Sequence, residues 1–195
     1  MLKRLFDVLS SLTVLFLLFP VFILVSLLIV LDSKGGVFYK QIRVGQNQKH
    51  FKLFKFRTMR PNSDKIQITV GHRDPRVTRV GYFLRKYKLD EIPQLINIIK
   101  GEMSVVGPRP EVPKYVNQYT DEQKRVLNVK PGLTDYASLQ FVDESEILAQ
   151  SKDPEKAYTQ EILPQKLKLA LKYIDERNFW VDIKLIFQTL GRIIR

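Results

Sequence analysis

The chain has 195 residues, of which 45% are hydrophobic, so it can build the core of one domain. It has no cysteine, which excludes a disulfide framework, a cysteine-ligated zinc site and a thiol nucleophile. Its formal net charge of +12 favours an anionic partner, such as nucleic acid, an anionic membrane face or a phosphorylated substrate. The GxSxG, GxGxxG and Walker A signatures of common hydrolases and nucleotide-binding proteins are missing.

Residues 12–31, LTVLFLLFPVFILVSLLIVL, form a stretch of twenty residues without a charged side chain. As a helix this stretch would be roughly 30 Å long, about the thickness of one hydrocarbon core. It is too long for the apolar region of a signal peptide, and no small-residue cleavage site follows it. We therefore predict that residues 1–34 form a membrane anchor and residues 35–195 a cytoplasmic domain.

Pro20 divides this segment and allows two membrane arrangements. One is a single spanning helix with a kink at the proline, and the other is a re-entrant hairpin that enters and leaves on the same side. The positive-inside rule expects basic residues mainly at one end of a spanning helix. Here they occur at both ends: Lys3, Arg4, Lys34, Lys40 and Arg43. The residues alone leave both arrangements open.

Residues 35–60 predict a small β-hairpin, with two strand-like runs around a Gly-Gln-Asn turn. Residues 61–79 lack a clean periodicity and predict a polar connection. Further on, apolar residues recur at the spacing of one helix face, and Gly101 is placed to end that helix. They are Ile92, Leu95, Ile96 and Ile99.

Two more helices are predicted near the C-terminus. For residues 164–176 we favour an amphipathic helix that covers the core, on a stripe of Leu167, Ala170, Leu171 and Ile174. For residues 179–194 we favour a helix in the membrane interface, with Trp180 as an anchor and basic residues off the apolar stripe. That stripe consists of Phe179, Ile183, Ile186, Phe187, Leu190 and Ile194.

The adjacent carboxylates Asp90 and Glu91 allow two interpretations. Their position before Ile92-Pro93 is typical of a helix start. There, acidic side chains accept hydrogen bonds from the free backbone N–H groups and complement the helix dipole. The second interpretation follows from their basic neighbours, among them Arg85, and from Arg109 in a Pro-Arg-Pro turn. A helix start, arginines and a magnesium ion bridging a carboxylate to a diphosphate would together suit attack on phosphorus.

Three stretches resemble the bacterial sugar transferase family: KFRTM (55–59), DPRVTRVGYFLRKYKLDEIPQLINIIKGEMSVVGPRP (74–110) and KPGLTDYAS (130–138). These are small monotopic polyprenol-phosphate phosphoglycosyl transferases. The resemblance runs from about Lys3 to the C-terminal helix, and it implies the short form of the family, with no preceding transmembrane bundle.

The resemblance implies transfer of a phosphosugar from a nucleotide diphosphosugar, usually a UDP-sugar, to undecaprenyl phosphate, with release of UMP. Asp90 would be the nucleophile that forms a covalent phosphosugar intermediate, with Glu91 as its partner and Mg²⁺ at the pair. Arg85 and Arg109 would clamp phosphate. Supporting roles would fall to the remaining motif positions: Arg57, Asp74 and Gln94.

The resemblance also implies a re-entrant anchor helix, which in the family breaks at a Ser-Pro pair. This chain has Phe19-Pro20 instead, so it keeps the proline and loses the serine hydroxyl, for which Ser26 is too far along to substitute. A second departure lies at residues 134–138, Thr-Asp-Tyr-Ala-Ser, where many members have Thr-Gly-Trp-Ala-Gln. The added carboxylate and smaller aromatic could change which donor is accepted.

The expected fold is α+β and mostly helical. A re-entrant helix broken at Pro20, a small β-hairpin and amphipathic interfacial helices would surround a small catalytic domain on the cytoplasmic face of the bacterial inner membrane. We expect membrane lipid as a partner and no nucleic acid, and the interfacial helices could support a homodimer. The competing interpretation is a non-catalytic, membrane-anchored scaffold of a glycan-assembly complex.

Overall fold

The computed structural model describes residues 2–61, 63, 69, 71 and 74–193. Over this part the chain is mostly helical, with one antiparallel hairpin and one short parallel strand pair, which confirms the predicted mostly helical fold with a small hairpin. The helices are α1 (Leu2–Leu17), α2 (Phe19–Asp32), α3 (Arg79–Lys86), α4 (Gln94–Lys100), α5 (Pro113–Val116), α6 (Tyr136–Gln140), α7 (Glu144–Ala149), α8 (Pro154–Ala157), α9 (Leu163–Glu176) and α10 (Phe179–Ile193). The strands are β1 (Phe38–Val44), β2 (His50–Phe56), β3 (Ser104–Val106) and β4 (Gly132–Thr134).

Two sequence predictions fall partly outside the described residues. Residues 62, 64–68, 70 and 72–73 belong to the predicted polar connection over 61–79. Ile194 and Arg195 belong to the predicted C-terminal helix.

The apolar N-terminal segment forms two helices that meet at a sharp bend next to Pro20. The axes of α1 and α2 are inclined by 64°. The helix breaks here because proline cannot donate to the carbonyl of Phe16 and its ring clashes with that group. Ser26 bonds to the Phe22 carbonyl at 2.7 Å and so does not compensate at the bend, as predicted. Among the described helices none alone is long and apolar enough to cross a membrane, whereas this bent pair suffices by length and composition, as a broken span or a re-entrant loop.

A buried carboxylate on α1 binds the start of β3. Asp7 is only 2% exposed. One of its oxygens accepts from the Ser104 hydroxyl at 2.8 Å, and the other accepts from the Val105 N–H at 3.1 Å. Because a buried charge needs such partners, this contact fixes α1 against the second sheet.

The basic residues at the start of α1 also bind groups of the protein. Lys3 pairs with the buried carboxylate of Asp182 on α10. Arg4 donates to the carbonyls of Ile98 and Ile99, the latter at 2.8 Å, and so satisfies free acceptors at the negative end of α4. The N-terminal helix is thereby tied to three other elements, β3, α4 and α10.

β1 and β2 form the predicted hairpin, with Val44 opposite His50 next to the turn. The turn uses left-handed backbone at Asn47 and Gln48, with φ of 53° and 60°. Asparagine adopts this conformation more readily than most residues, which explains its place in the turn.

The predicted helix over 92–99 is observed as α4, and Gly101 ends it with a φ of 86°. Asn97, fully buried in the middle of α4, docks the helix on the free edge of β2. Its side chain accepts from the Phe54 N–H at 3.0 Å and donates to the Lys52 carbonyl at 2.8 Å. These bonds satisfy backbone groups that an edge strand would otherwise leave unpaired.

β3 and β4 lie parallel and end at the same edge. Gly107 donates to the Thr134 carbonyl at 3.0 Å, and Gly132 donates to the Pro108 carbonyl at 2.9 Å. The two chains are so close that a Cβ on Gly132 would lie 2.1 Å from the Gly107 nitrogen. The loop after β3 and the residue after β4 therefore meet side by side.

The C-terminal helices form where predicted and differ in exposure. α9 buries Leu167 and Ala170 in the largest hydrophobic cluster, which agrees with the core interpretation. On α10 the inward positions are Asp182 and Leu185, while much of the predicted stripe is exposed, with Phe187 at 69%. An exposed apolar stripe is what the interface interpretation expects, and its contact with lipid stays a prediction.

The close approach at Gly132 gives a test of the fold. We expect Gly132→Ala to lower the free energy of unfolding by about 3 kcal/mol, because backbone atoms of Gly107 must move to admit the methyl group. Denaturant unfolding of the detergent-solubilised protein, followed by circular dichroism, measures the change. The matched control is Gly36→Ala, where no atom lies within 4 Å of the added methyl group. Equal stability of the two variants would contradict this packing.

Candidate active site

Asp90 and Glu91 lie in a 3-10 turn, Leu89–Glu91, which precedes α4. The residues on either side of the pair, Leu89 and Ile92, pack against a hydrophobic cluster contributed by α2, β2 and α3. Their burial holds the turn in place, so both carboxylates have a fixed position.

Helix capping does not account for this pair. α4 begins at Gln94 with Pro93 as its N-cap, and no described side chain accepts a hydrogen bond from its first N–H groups. The prediction that the side chains of Asp90 and Glu91 cap α4 is therefore wrong. They face cations contributed by other parts of the chain.

Glu91 is held by Lys55 of β2 and by Arg109 of the loop after β3. Its Oε1 accepts from Lys55 Nζ at 2.8 Å and from Arg109 Nη2. Its Oε2 accepts from Arg109 Nη1 at 3.2 Å. Burial would raise the pKa of Glu91, but Arg109 and Lys55 outweigh that effect and hold the pKa well below its usual range. Glu91 is therefore ionised, and its charge raises the pKa of Arg109 above the ordinary value.

Asp90 has a different environment from its neighbour. The residue is 6% exposed, and Lys55 Nζ lies 3.6 Å from Oδ2, an ion pair without a hydrogen bond. Burial raises the pKa of Asp90 above its ordinary value, although the Lys55 charge opposes the shift. Two adjacent carboxylates with pKa values pushed in opposite directions are typical of sites in which each has its own chemical role.

Lys55 is a site residue that the sequence analysis did not single out. On β2 the alternating residues Phe51 and Leu53 are buried, and Lys55 occupies the next position of the same face. A lysine where the alternation expects an apolar residue indicates a buried anionic partner, because lysine is rarely buried unless paired. This signal could have identified it.

Arg85 lies on α3, and its charge interacts with that of Asp90. Its Nε donates to the Thr58 hydroxyl at 2.8 Å and its Nη1 to the Thr69 hydroxyl at 3.2 Å. Burial lowers the pKa of Arg85, and the charge of Asp90 opposes the shift. The bonds to Thr58 and Thr69 use two of its five N–H donors, and no ion pair joins Arg85 to Asp90 within the described residues.

The three positions with predicted supporting roles have other contacts. Arg57 donates to carbonyls at the end of α2, among them that of Ser33 at 2.7 Å, and so caps this helix. Asp74 accepts from Arg76 at 2.9 and 2.6 Å. Gln94 is 1% exposed, and its Nε2 has no hydrogen-bond partner in the described structure. The structure thus brings Asp90, Glu91 and Arg109 together and places Arg57 at the C-terminal end of α2.

The chemistry of the carboxylate pair is compatible with a magnesium ion that is shared with a substrate. Within the described residues no group of three histidine or acidic side chains converges as a metal cage. Magnesium is often held by one or two carboxylates together with substrate phosphates and water. Asp90 suits such a shared ion, because the oxygens of Glu91 are already engaged by Lys55 and Arg109.

Comparison with known proteins matches the whole chain to one family. A family model described as bacterial sugar transferase covers residues 1–195. The UDP-glucose:undecaprenyl-phosphate glucose-1-phosphate transferase of Escherichia coli K12 is 36% identical over 195 residues, which cover 97% of this chain and 39% of that protein. The UDP-N-acetylgalactosamine-undecaprenyl-phosphate N-acetylgalactosaminephosphotransferase of Aeromonas hydrophila is 32% identical over 196 residues, which cover 98% and 43%. The sugar transferase EpsL of Bacillus subtilis 168 is 33% identical over 196 residues, which cover 99% and 87%. The chain thus spans about two fifths of the first two relatives and most of the third.

The ion pairs of Glu91 generate a stability prediction. We expect Glu91→Gln to lower the free energy of unfolding at neutral pH by about 3–5 kcal/mol, because Lys55 and Arg109 lose their main anion in a buried place. The folded-state pKa of Glu91 lies below its unfolded value, so the contribution is present above the unfolded value of 4.5 and is lost as the pH falls towards the folded value. The gap between wild type and variant should therefore narrow from about pH 5 to about pH 3.

Denaturant unfolding over this pH range measures the gap, with Asp121→Asn as the matched control. Asp121 pairs with Lys124 on the surface and is 99% exposed, so its substitution should have no measurable effect. A gap that stays constant with pH would contradict an ionised, stabilising Glu91.

Proposed function

Because the chain belongs to the bacterial sugar transferase family, we propose that it transfers a phosphosugar from a UDP-sugar to undecaprenyl phosphate and releases UMP. The names of two relatives state a transfer of this kind to undecaprenyl phosphate. One observation in this chain carries the proposal: a buried carboxylate, Asp90, lies close to the cations Lys55 and Arg85 and next to an ionised carboxylate, Glu91, that binds Arg109.

Asp90 is the nucleophile in this proposal. Its carboxylate oxygen attacks the sugar-bearing phosphorus, the bond from that phosphorus to the bridging oxygen breaks, and UMP leaves with the oxygen and its electron pair. The phosphosugar is then held on Asp90 as an acyl phosphate. A phosphate oxygen of undecaprenyl phosphate attacks the same phosphorus, which releases the lipid-linked product and regenerates the Asp90 carboxylate.

The cations have separate roles in this scheme. Lys55 opposes the rise in the pKa of Asp90 and so favours the ionised, nucleophilic form. Arg109 presents a planar fork of donors, which suits the oxygens of a diphosphate. Arg85 adds charge from the side of α3. Glu91 keeps Lys55 and Arg109 together in the absence of substrate.

We include Mg²⁺ as the cofactor, which would be held at the Asp90-Glu91 pair mainly through Asp90, because the oxygens of Glu91 are engaged by Lys55 and Arg109. When bound, the ion would neutralise charge on the diphosphate and on the departing UMP. The residues described above bind and orient the donor around it.

The proposed location is the cytoplasmic face of the bacterial inner membrane, with α1 and α2 as a re-entrant anchor. Support comes from the apolar side chains at the bend, since Phe16 is 81% and Phe19 is 60% exposed. On α10, Trp180 is 78% exposed. A bilayer interface would bury this surface, which a monomer in water would leave exposed. An acceptor with a lipid tail and a phosphate head would meet the site at the same interface.

Asp90→Asn tests the reaction directly. We expect it to lower UMP release by a factor on the order of 10⁴ or more, since the amide cannot attack phosphorus. The assay uses full-length protein in detergent or nanodiscs, with magnesium, undecaprenyl phosphate and a panel of UDP-glucose, UDP-N-acetylglucosamine and UDP-N-acetylgalactosamine. When the donor carries a label on its sugar and the acceptor is omitted, wild-type protein should become labelled, and hydroxylamine should remove this label. Asp90→Asn should not become labelled.

Thermal unfolding of the same samples shows whether Asp90→Asn is folded, and Asp121→Asn serves as a variant far from the carboxylate pair. Equal UMP release by wild type and Asp90→Asn would exclude Asp90 as the nucleophile. No release by wild type from any donor of a widened panel would favour the scaffold function.

A further inference from the structure

The loop that carries Arg109 has a single backbone donor at its centre. In Pro108-Arg109-Pro110 the two prolines have no N–H, so only Arg109 can donate from its backbone. That N–H donates to Asp135 Oδ2 at 3.3 Å. The backbone of the residue that binds Glu91 is thus held from the side by another carboxylate.

Asp135 is well placed to hold this loop. It is 1% exposed and follows β4 directly, at the edge where β3 gives way to the loop. Its second oxygen, Oδ1, accepts from the Ser138 N–H at 2.7 Å and caps α6. One buried carboxylate therefore joins the start of α6 to the backbone of Arg109.

The surroundings leave Arg109 few other backbone constraints. Gly107 and Pro108 before it are bonded to Thr134 and Gly132, so β4 fixes the loop up to residue 108. After Pro110, Arg43 donates to the Pro110 carbonyl at 3.0 Å. Between these two points, within the described residues, the backbone of Arg109 is held by its hydrogen bond to Asp135.

We propose that Asp135 is a positioning residue for Arg109, and that it sets how well the guanidinium fork meets the diphosphate of the donor. This inference rests on the proposed function. A bidentate clamp depends on the place and angle of its fork, so a small displacement of the backbone weakens it. Asp135 acts through Arg109 and lies behind it, hydrogen-bonded to its backbone.

The alternative is that Asp135 only caps α6. Substitution by serine distinguishes this capping role from the positioning of Arg109. Serine caps helices about as well as aspartate, but it is shorter and has one oxygen. Asp135→Ser should keep the bond to the Ser138 N–H and lose the bond to Arg109. Asp135→Asn keeps the size of the side chain and has one acceptor oxygen in place of two.

The experiment measures UMP release by full-length protein with the preferred donor of the UDP-sugar panel. We expect Asp135→Ser to raise KM for the UDP-sugar about tenfold, the effect of one lost hydrogen bond to a well-placed group, and to leave KM for undecaprenyl phosphate unchanged. The matched control is Asp153→Ser. Asp153 caps α8 in the same way, with Oδ1 accepting from Lys156 at 3.1 Å, and has no recorded contact with the described site.

A double-mutant cycle with Arg109→Lys decides whether the effect passes through Arg109. If it does, adding Asp135→Ser to Arg109→Lys should change KM for the donor by less than twofold. An unchanged KM in both Asp135→Ser and Asp135→Asn would overturn the proposal. So would a tenfold change that persists in full on the Arg109→Lys background.

Hydrogen exchange at the Arg109 amide gives a readout that does not depend on turnover. We expect faster exchange in Asp135→Ser than in wild type or Asp153→Ser. If wild type released no UMP from any donor, the proposed function would fail. The exchange rates would still show whether Asp135 holds Arg109, and equal rates in all three proteins would overturn that contact.

Discussion

The carboxylate of Glu91 joins three segments that are distant in the chain: β2 through Lys55, the turn before α4, and the loop after β3 through Arg109. Each segment brings a charge into a place that water reaches poorly. A buried ion costs several kcal/mol unless an opposite charge meets it with good geometry. The three groups therefore stabilise one another, and the same ion pairs that hold these segments together also concentrate positive charge beside Asp90.

Asp90 and Glu91 show how neighbours in sequence acquire different chemistry. Successive side chains of a 3-10 turn point about 120° apart. Glu91 can therefore face both cations, while Asp90 keeps a longer contact with Lys55 and its pKa is raised by burial. A single turn thus provides one carboxylate that is hydrogen-bonded to two cations and one that has an ion pair with Lys55 but no hydrogen bond to it.

The elements that could be predicted are those with a local signal. The hairpin, α4, α9 and α10 follow from turn residues and periodicity, and Gly101 marks the end of α4 as expected. α3 is harder to predict, because only Val80 and Leu84 of its eight residues form the apolar face that packs inward. β3 and β4 are three residues each, too short for a periodic pattern. In the candidate site, the motif identified Asp90, Glu91 and Arg109, but the partners Lys55 and Asp135 depend on contacts between distant segments. The alternation on β2 indicates that Lys55 has an anionic partner, but the identity of that partner, and the contact of Asp135 with Arg109, become clear only when the hairpin and the parallel strands are in place.

The contacts of α1 have a consequence for how such a protein can change. Asp7 completes the start of β3, and Arg4 completes the end of α4, so the apolar N-terminal segment supplies internal parts of the domain that follows it. A chimera that joined residues 35–195 to an unrelated hydrophobic helix would leave Ser104, Val105 and the last carbonyls of α4 without these partners. The N-terminal segment is therefore not an exchangeable module, and its polar residues must evolve together with the surfaces that they bind.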